Sequence, residues 1–426
     1  MVSAAAAGLA VVGFTRLTEQ ALQVFFRFDD SVPWMALAWM PASAFGIAWL
    51  TRRYVPGAGG SGIPQVIAAL SGSVATERMG LFVSLRLTVA KILLTSWGLL
   101  AGLSLGREGP SVQIAAGIML AGRRWLPRRS AVSEHGLLVA GGAAGIAAAF
   151  NTPLAGVMFA IEELSRTPEQ RSSGLLITGI VLAGIVAVSI NGNETYFGMI
   201  RVHGLGIGML LPGVGVALAS GIAGGLFARL LIASLGGRSP DRATRWRSRH
   251  PAAFAAACGL ACAVIGLVTR GATFGSGYTL TRSMLEGQES VPTGYTFFKF
   301  VATWLTTWSG VPAGIFAPSL AIGAGIGNGF AECFHLDQPA ALIALGMAGF
   351  LAAVTQAPLT AFIIVMEMVD GHSMVLTLMA CSLAASAISR VLTRPLYGSL
   401  AEVQLLRLAP RAASPTGGAT PVDTPT

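Results

Sequence analysis

One apolar motif occurs twice in this chain, and this repeat limits the possible folds more than any other feature of the sequence. The first copy, GREGPSVQIAAGI, covers 106–118, and the second, GIFAPSLAIGAGI, covers 314–326. The copies lie 208 positions apart and share seven of thirteen residues, including the proline at Pro110 and Pro318. Such internal similarity over a long interval predicts that the chain consists of two homologous halves.

A second repeated pair lies downstream of the first. AAAFNTPLAGVMFAIEEL covers 147–164 and AAVTQAPLTAFIIVMEMV covers 352–369, at an offset of 205. Glu162 in the first copy has a counterpart in Glu367, whereas Glu163 corresponds to a methionine. The paired glutamates predict a shared structural role, and the unmatched Glu163 is the candidate for a functional role.

The composition places these halves in a membrane. Of the 426 residues, 53% are hydrophobic and 11% are charged, whereas a soluble globular domain carries about 25% charged residues. The 54 glycines and 21 prolines predict broken helices, which a bilayer tolerates only where protein or a water-filled cavity covers the exposed backbone. These features argue against a soluble enzyme, against a nucleic-acid-binding protein despite the net charge of +9, and against an outer-membrane barrel, whose strands would alternate apolar and polar residues.

The two motifs predict where the halves meet. Each has a glycine-containing turn, a proline and an apolar run, which is the pattern of a helix with proline in its first turn. Membrane transporters commonly relate such halves by an axis in the membrane plane, so helices beginning near Gly109 and Ala317 would point their N-termini at one central point. We therefore predict an all-α polytopic membrane protein of two inverted structural repeats, with broken, re-entrant helices that meet at the membrane midplane. The unpaired N–H groups and positive dipole ends there would attract an anion.

The hydropathy pattern divides the chain into three parts. We predict a first transmembrane repeat over 1–205, a second over 206–409, and a disordered tail over 410–426, which is rich in Ser, Thr, Pro, Gly and Ala. Because the chain begins directly in a hydrophobic segment, the N-terminal helix is expected to be truncated. Arginine-rich connectors between apolar segments would face the cytoplasm by the positive-inside rule. They contain Arg52, Arg53, Arg123, Arg124, Arg128, Arg129, Arg238, Arg242, Arg245, Arg247 and Arg249.

Two further proline-containing turns supply hydroxyl groups. GGSGIP over 59–64 contains Ser61, and TRPLY over 393–397 places Tyr397 after Pro395. One helix N-terminus stabilises an anion by only about 0.3–2 kcal/mol, whereas an unpaired ion in a medium of low dielectric constant costs on the order of tens of kcal/mol. Several donors must therefore act together. Hydroxyl and backbone donors without a fixed cation suit a halide that has to enter and leave.

Taken together and in this order, the four motifs resemble those of the CLC family of chloride channels and chloride/proton antiporters. They extend from about residue 50 to residue 400, which is nearly the whole chain. The resemblance implies chloride transport by a homodimer with one pathway per subunit, in which the segments around 153–190 and 358–391 form the contact. The matching stretches are Gly60-Ser61-Gly62-Ile63-Pro64, Gly106-Arg107-Glu108-Gly109-Pro110, Gly314-Ile315-Phe316-Ala317-Pro318, and the Tyr397 that follows Arg394-Pro395-Leu396.

The resemblance also implies roles for individual residues. The hydroxyls of Ser61 and Tyr397 would donate to a central chloride, and the backbone N–H groups of Ile315 and Phe316 would complete its shell. Glu108 is similar to the family's gating glutamate, whose carboxylate occupies an anion site when charged and leaves it when protonated. The supporting residues are Gly62, Pro64, Arg107, Gly109, Pro110 and Lys91.

Three of these positions also have plainer interpretations. Glu108 could cap its own helix and pair with Arg107. Glu163, which resembles the family's internal proton-transfer glutamate, could form an ordinary solvated helix end together with Glu162. Lys91 could raise the potential for anions near the pore, or it could extend to the membrane interface.

Two positions depart from the family pattern. An acid often follows the first proline turn, and another often lies two residues further on, whereas this chain has Gln65 and Ile67. These changes weaken any proton route that would use such acids, and they leave the chloride ligands unchanged. The fluoride-exporting branch of the family typically replaces the serine and lacks the tyrosine, so Ser61 with Tyr397 favours chloride.

The sequence leaves two transport functions open. Chloride/proton exchange rests on the presence of both Glu108 and Glu163, and a passive chloride channel of the same fold would follow if the loss of the two acids breaks proton access. We expect a transporter rather than an enzyme, with chloride, protons and membrane lipid as partners and no nucleic acid. A bacterial inner membrane is the expected location. The scattered cysteines and histidines predict neither a metal site nor a disulfide, and no cofactor is expected.

A third function comes from a different class. Gly59-Gly60-Ser61-Gly62 fits the GxSG string of a serine hydrolase, which would make the chain an intramembrane protease. Such an enzyme needs a histidine base on a facing helix. The candidates His135, His250 and His335 all lie at predicted segment ends, which disfavours this function.

Overall fold

The computed structural model is almost entirely α-helical. The only β pairing among the residues that it describes is a single bridge between Gly106 and Gly314. These residues are 1–72, 76–125, 127, 132–165, 173–192, 195–198, 207–237, 241–287, 291–336 and 339–408. The predicted tail over 410–426 and the predicted boundary between 205 and 206 lie outside them, so the division into two repeats stays a prediction.

The helices before residue 206 include the first copy of each repeated motif. They are α1 (Val2–Ser31), α2 (Ala36–Tyr54), α3 (Ile63–Leu70), α4 (Thr76–Met79), α5 (Leu85–Leu100), α6 (Glu108–Ala121), α7 (Glu134–Phe150), α8 (Pro153–Phe159) and α9 (Ser173–Asn191).

The helices after residue 206 include the second copies and one additional helix at the C-terminal end. They are α10 (Leu210–Gly236), α11 (Arg242–Arg249), α12 (Pro251–Val268), α13 (Tyr278–Glu286), α14 (Tyr295–Ser309), α15 (Phe316–Cys333), α16 (Pro339–Thr355), α17 (Pro358–Met368), α18 (Val375–Leu392) and α19 (Leu396–Leu408).

Local sequence explains where several helices begin. Proline occupies the first turn of α3, α8, α12 and α17, where its missing N–H has no intrahelical partner to lose. Serine caps two others, because Ser84 Oγ accepts from Leu87 N at 3.4 Å before α5 and Ser133 Oγ accepts from Gly136 N at 2.9 Å before α7. The helices predicted near Gly109 and Ala317 begin one residue earlier in each case.

Helix length and burial fit a membrane protein with interrupted helices. Leu210–Gly236, Pro251–Val268 and His372–Leu392 are long and apolar enough to span a bilayer. The described chain also contains shorter apolar helices, among them α7 and α16. Both are buried on every side over most of their length, which is the pattern of a helix at the centre of a bundle.

Helix packing follows the sequence repeat. Helix α6 packs against α7 as α15 packs against α16, and the repeated helices α8 and α17 pack against each other. The all-α polytopic fold with repeated, interrupted helices is thus confirmed. Of the cysteines, Cys258, Cys262 and Cys381 are buried, as small apolar residues would be, whereas Cys333 at the end of α15 is exposed.

Candidate anion site

The two halves meet at a pair of equivalent glycines. Gly106 N donates to Gly314 O at 2.7 Å, and Gly314 N donates to Gly106 O at 3.0 Å. Such mutual bonding between equivalent residues is the arrangement that inverted repeats would produce. The close approach also explains the glycine, because a Cβ on Gly314 would lie 2.6 Å from Gly106 O.

Helices α6 and α15 begin directly after these glycines, so their N-termini lie side by side. The first N–H groups of a helix have no intrahelical partner, and Ile315 and Phe316 stand at this position of α15. Both residues are almost completely buried. The predicted convergence of two helix N-termini is therefore present, with unpaired donors from the second half at its centre.

Glu108 crosses from its own half to this centre. It is the first residue of α6, it is completely buried, and its Oε2 accepts a hydrogen bond from Ala317 N at 3.4 Å. Its Oε1 has no partner among the described residues. The carboxylate thus occupies one of the donor groups that an anion at the start of α15 would use.

Arg107 does not pair with Glu108. Its Nη1 donates to Glu19 Oε1 on α1 at 2.8 Å and to Thr15 O at 3.2 Å, and its guanidinium carbon lies 5.9 Å from the ring centroid of Tyr196. Arg107 therefore anchors the start of α6 to α1. Among the described residues no ion pair joins Arg107 to Glu108, although the two charges attract each other.

The loop before α3 brings Ser61 to the same place. Gly60 and Gly62 have φ angles of 77° and 107°, which favour glycine, and a Cβ on Gly62 would lie 2.6 Å from Gly109 O. Gln65 holds the loop closed, because its Oε1 accepts from Gly62 N at 3.0 Å and its Nε2 donates to Gly59 O. An acid could not make the second bond at neutral pH, so this departure from the family pattern has a structural role.

Lys91 stabilises the loop that contains Ser61. It is completely buried, and its Nζ donates to Ala58 O and to Gly60 O, each at 2.7 Å. The interpretation of Lys91 as an interfacial side chain is therefore wrong, because a lysine that bonds two loop carbonyls in the interior does not reach the membrane surface. One of these carbonyls belongs to Gly60, next to Ser61 in the loop.

The second half contains the same arrangement, which the sequence analysis missed. Lys299 lies 208 positions after Lys91 and is also completely buried. Its Nζ donates to Thr273 O at 3.0 Å and to Gly275 O at 2.8 Å, in the loop before α13. Two signals were available, namely the offset of 208 that the lysines share with the first repeated motif and a second Gly-Ser-Gly string over 275–277, which lies 215 positions after the one over 60–62.

Two unpaired hydroxyls lie at the inner side of this centre. Ser61 Oγ and Tyr397 Oη are buried and lie within hydrogen-bonding reach of each other, although neither makes a hydrogen bond of ordinary geometry within the described chain. The Tyr397 ring stacks on Phe316 with a centroid distance of 6.1 Å. Both hydroxyls also line a cavity, so this pair is placed to donate to a ligand that accepts hydrogen bonds.

A cavity of about 970 Å³, which we call the inner vestibule, connects these groups to one face of the molecule. Ser61, Ile315 and Tyr397 line its buried end, and Arg52 and Arg407 line its exposed rim. An anion entering from this face would reach both hydroxyls and the start of α15. The vestibule thus provides a path to these donors.

Glu163 is buried rather than solvated. It lies on a π-helical turn over Ala160–Ser165 that continues α8, and its exposed fraction is 4%. It interacts electrostatically with Tyr397, as Glu108 does. The interpretation as an ordinary solvated helix end is therefore wrong for Glu163, and a buried carboxylate of this kind in a membrane protein is a functional candidate.

Glu162 has the structural role that the repeat predicts. Its Oε1 accepts from Leu359 N at 3.2 Å and its Oε2 from Thr360 N at 2.7 Å, at the start of α17. In the same way, the carboxylate of Glu367 accepts from Leu154 N at 3.2 Å and from Ala155 N at 2.8 Å, at the start of α8. Each glutamate caps the helix of the other half, and Glu163 takes no part in this exchange.

The described residues contain no group of three or more His, Cys, Asp or Glu that could hold a metal ion. The residues that line the inner vestibule likewise include no histidine within the described chain. A base for Ser61 of the kind that a serine protease needs is therefore not found beside it.

The chain is similar to proteins of one transport family. Its sequence matches the family model of the voltage gated chloride channel over residues 43–390. It is 34% identical over 374 residues to the H(+)/Cl(-) exchange transporter ClcA of Citrobacter koseri, with 83% of this chain and 75% of the relative covered.

Solved structures give the same result. A slow cyanobacterial Cl-/H+ antiporter is similar with a TM-score of 0.80 and 26% identity, covering 96% of this chain and 97% of that one. A CLC-type fluoride/proton antiporter shares the fold with a TM-score of 0.76 and 22% identity, covering 94% and 95% of the two chains. Since both anions occur with this fold, the fold alone does not select the anion.

Proposed function

This chain belongs to the voltage-gated chloride channel family, and we propose that it exchanges chloride for protons across a membrane. The bacterial relative is an H(+)/Cl(-) exchange transporter, and the cyanobacterial protein is a Cl-/H+ antiporter. The family makes the chain an integral membrane protein of the transporter class. The observation that carries the proposal is the carboxylate of Glu108 on the N–H of Ala317.

A carboxylate in this position competes with chloride. Two negative charges about 4 Å apart repel by roughly 4 kcal/mol at an effective dielectric constant of about 20, which corresponds to roughly a thousandfold change in occupancy. Protonation of Glu108 removes this repulsion and weakens its bond to Ala317 N. The protonation of Glu108 and the binding of chloride at the start of α15 are therefore linked through this one side chain, which couples the movements of the two ions.

We assign the remaining site residues by the same geometry. The hydroxyls of Ser61 and Tyr397 and the N–H groups of Ile315 and Phe316 bind the central chloride. Glu163 passes protons between the arginine-rich face and the centre. The unpaired hydroxyls support the first assignment, and the burial of Glu163 near Tyr397 supports the second. Gly62, Pro64, Gly109, Pro110, Arg107 and Lys91 shape the loops and helix starts.

The presence of Ser61 and Tyr397 favours chloride over fluoride. A fluoride ion is smaller and more strongly hydrated than chloride, so removing its water costs more free energy. Hydroxyl and amide donors without a fixed cation offset less of this dehydration cost for fluoride than for chloride. The passive channel remains the second candidate, and the observation that favours it is the use of Gln65 as a loop clamp in place of an acid.

Assembly and location extend the proposal. We place the protein in a bacterial inner membrane as a homodimer, in contact with lipid, with repeats over 1–205 and 206–409. Large apolar side chains on the proposed contact segments are exposed in the single chain, which supports an interface there. They include Leu154, Ile161, Leu359, Leu376 and Leu383. Light scattering of the purified protein tests the dimer, and a monomeric mass would contradict it.

One flux experiment tests the function. The purified chain is reconstituted into liposomes, and chloride and pH are recorded together while a chloride gradient is applied. Exchange predicts that protons move uphill against their own gradient when chloride moves down its gradient. Chloride flux without a coupled pH change would establish the channel instead. Liposomes containing the protein that show no more chloride flux than protein-free liposomes would contradict both functions.

A further inference from the structure

The inner vestibule is unusually basic at its rim. The described residues that line it include Arg52, Arg245, Arg247 and Arg407, and they include no Asp or Glu. None of these four arginines forms an ion pair with a described residue. Orientation in the membrane explains arginines in connectors, but it does not explain why several of them converge on one cavity.

Helix α10 holds two of these arginines in place. Arg247 Nη1 donates to Ser234 O at 3.2 Å, and Arg407 Nη2 donates to Leu235 O at 3.2 Å. Both acceptors lie in the last turn of α10, where carbonyls lack intrahelical partners and the helix dipole favours cations. The side chains come from α11 and α19, two helices far apart in sequence, so the cluster exists only in the folded chain.

Arg247 is the most constrained of the group. Its Nε is buried and has no hydrogen-bond partner within the described chain. Burial, together with repulsion from Arg52 and Arg407, lowers the pKa of Arg247 to about 10. The three guanidinium groups repel one another, and no carboxylate in the described lining compensates their positive charge.

A single chloride ion would neutralise only part of the positive charge of the three arginines. One chloride carries a single charge and occupies a small part of a cavity of about 970 Å³, whereas pockets of about 300–1,000 Å³ hold small-molecule ligands. The planar guanidinium fork binds two oxygens of one phosphate group at once. An anion with several phosphate oxygens would satisfy Arg52, Arg247 and Arg407 together.

We propose that Arg52, Arg247 and Arg407 form a binding site for a phosphate-bearing polyanion at the mouth of the inner vestibule, and that its occupant slows anion transport. The inhibitory part rests on the proposed function, because the occupant would cover the path to Ser61 and Tyr397. The binding part does not, since it follows from the arginine cluster alone. The occupant is a soluble polyphosphate or the headgroup of an anionic lipid, which present the same chemistry.

Direct binding is measured by calorimetry on the purified full chain in neutral detergent, with inorganic pyrophosphate as the probe at constant ionic strength. We expect saturable binding of one pyrophosphate per chain. Arg247→Gln and Arg407→Gln should each weaken it at least about tenfold, since charge-assisted hydrogen bonds are lost. Arg249→Gln, on α11 but outside the vestibule lining, and Arg53→Gln, next to Arg52 on α2, are matched controls that should bind like the unchanged protein.

Two further arms separate the possible sources. Short-chain phosphatidylglycerol and a short-chain zwitterionic lipid are each tested for displacement of pyrophosphate from the unchanged protein. Displacement by phosphatidylglycerol but not by the zwitterionic lipid would identify an anionic headgroup as a competent occupant. Chloride flux in liposomes should fall when pyrophosphate is present on the arginine-rich side, and Arg407→Gln should relieve this inhibition. If Arg247→Gln fails to fold, Arg407→Gln on the exposed rim carries the comparison.

The outcomes that overturn the proposal are distinct from failure of the transport function. Absence of saturable binding of both pyrophosphate and phosphatidylglycerol would remove the site, whatever the flux assay shows. Equal weakening by Arg249→Gln and Arg247→Gln would show that only the net surface charge matters. Binding that persists in a protein without chloride transport would retain the site and contradict the proposed function instead.

Discussion

Glu108 and Ala317 belong to different halves of the chain, yet Glu108 Oε2 accepts a hydrogen bond from Ala317 N at 3.4 Å. This bond joins the first turn of α6 to the first turn of α15 beside the glycine bridge. It places a titratable group on the donors that would otherwise bind an anion. The consequences of removing its charge are therefore the most direct test of the mechanism.

Glu108→Gln should retain chloride flux and abolish proton coupling. The amide has the shape of the protonated acid and no negative charge, so it no longer repels chloride, and it cannot release a proton. Parallel recording of chloride and pH in liposomes measures both effects. Proton movement that continues in Glu108→Gln at the unchanged ratio would exclude Glu108 as the coupling group.

Glu163→Gln should stop proton transport while chloride still passes. Glu163 is buried near Tyr397 but is not part of the chloride shell, so its loss removes a proton relay and leaves the anion donors in place. The control is Glu162→Gln, which changes the neighbouring residue in the same way. We expect Glu162→Gln to retain coupling, and loss of coupling in both variants would show a common structural cause.

Tyr397→Phe should weaken chloride binding roughly 10- to 100-fold, because a hydrogen bond to a charged group is worth about 1.5–3 kcal/mol. Calorimetry with chloride measures the affinity. Tyr295→Phe is the matched control, since Tyr295 is also a buried tyrosine whose hydroxyl has no partner within the described chain, and it does not line the inner vestibule. Equal affinities of Tyr397→Phe and the unchanged protein would contradict the assigned role.

Lys91→Met and Lys299→Met should separate stability from anion binding. Each removes two charged hydrogen bonds from a buried loop, so both should lower the thermal midpoint. Only Lys91 supports the loop of Ser61, and only Lys91→Met should also weaken chloride binding. A weakening of the same size in Lys299→Met would mean that general loosening of the fold, rather than the Ser61 loop, determines the affinity.

Glu162→Gln and Glu367→Gln should destabilise the protein to a similar extent. Each carboxylate caps two N–H groups of the helix in the other half, and loss of a helix cap costs about 0.5–2 kcal/mol. Thermal unfolding monitored in detergent gives the comparison. Glu286→Gln, which breaks only a surface pair with Arg282, is the control and should change stability by less than about 0.5 kcal/mol.

Several features of this protein follow from local sequence. The repeated motifs predict two related halves, and their glycine-proline turns predict helix starts within one residue of those of α6 and α15. The offset between Glu162 and Glu367 predicts a shared role, because equivalent positions of a repeat have equivalent surroundings. Short-range backbone preferences and hydropathy act within a few residues or over one helix, so they can be recognised in the chain itself.

Other features depend on which atoms meet in the folded chain. The sequence allowed Lys91 to be an interfacial residue, and only the structure placed its Nζ on the carbonyls of Ala58 and Gly60. The sequence likewise allowed Arg107 to pair with Glu108, and only the structure showed that Arg107 donates to Glu19 on α1. Likewise, Arg247 and Arg407 share the end of α10 although no motif connects them. Hydrogen bonds and charge interactions act over a few ångströms in space, so the choice between partners distant in sequence was decided by tertiary packing.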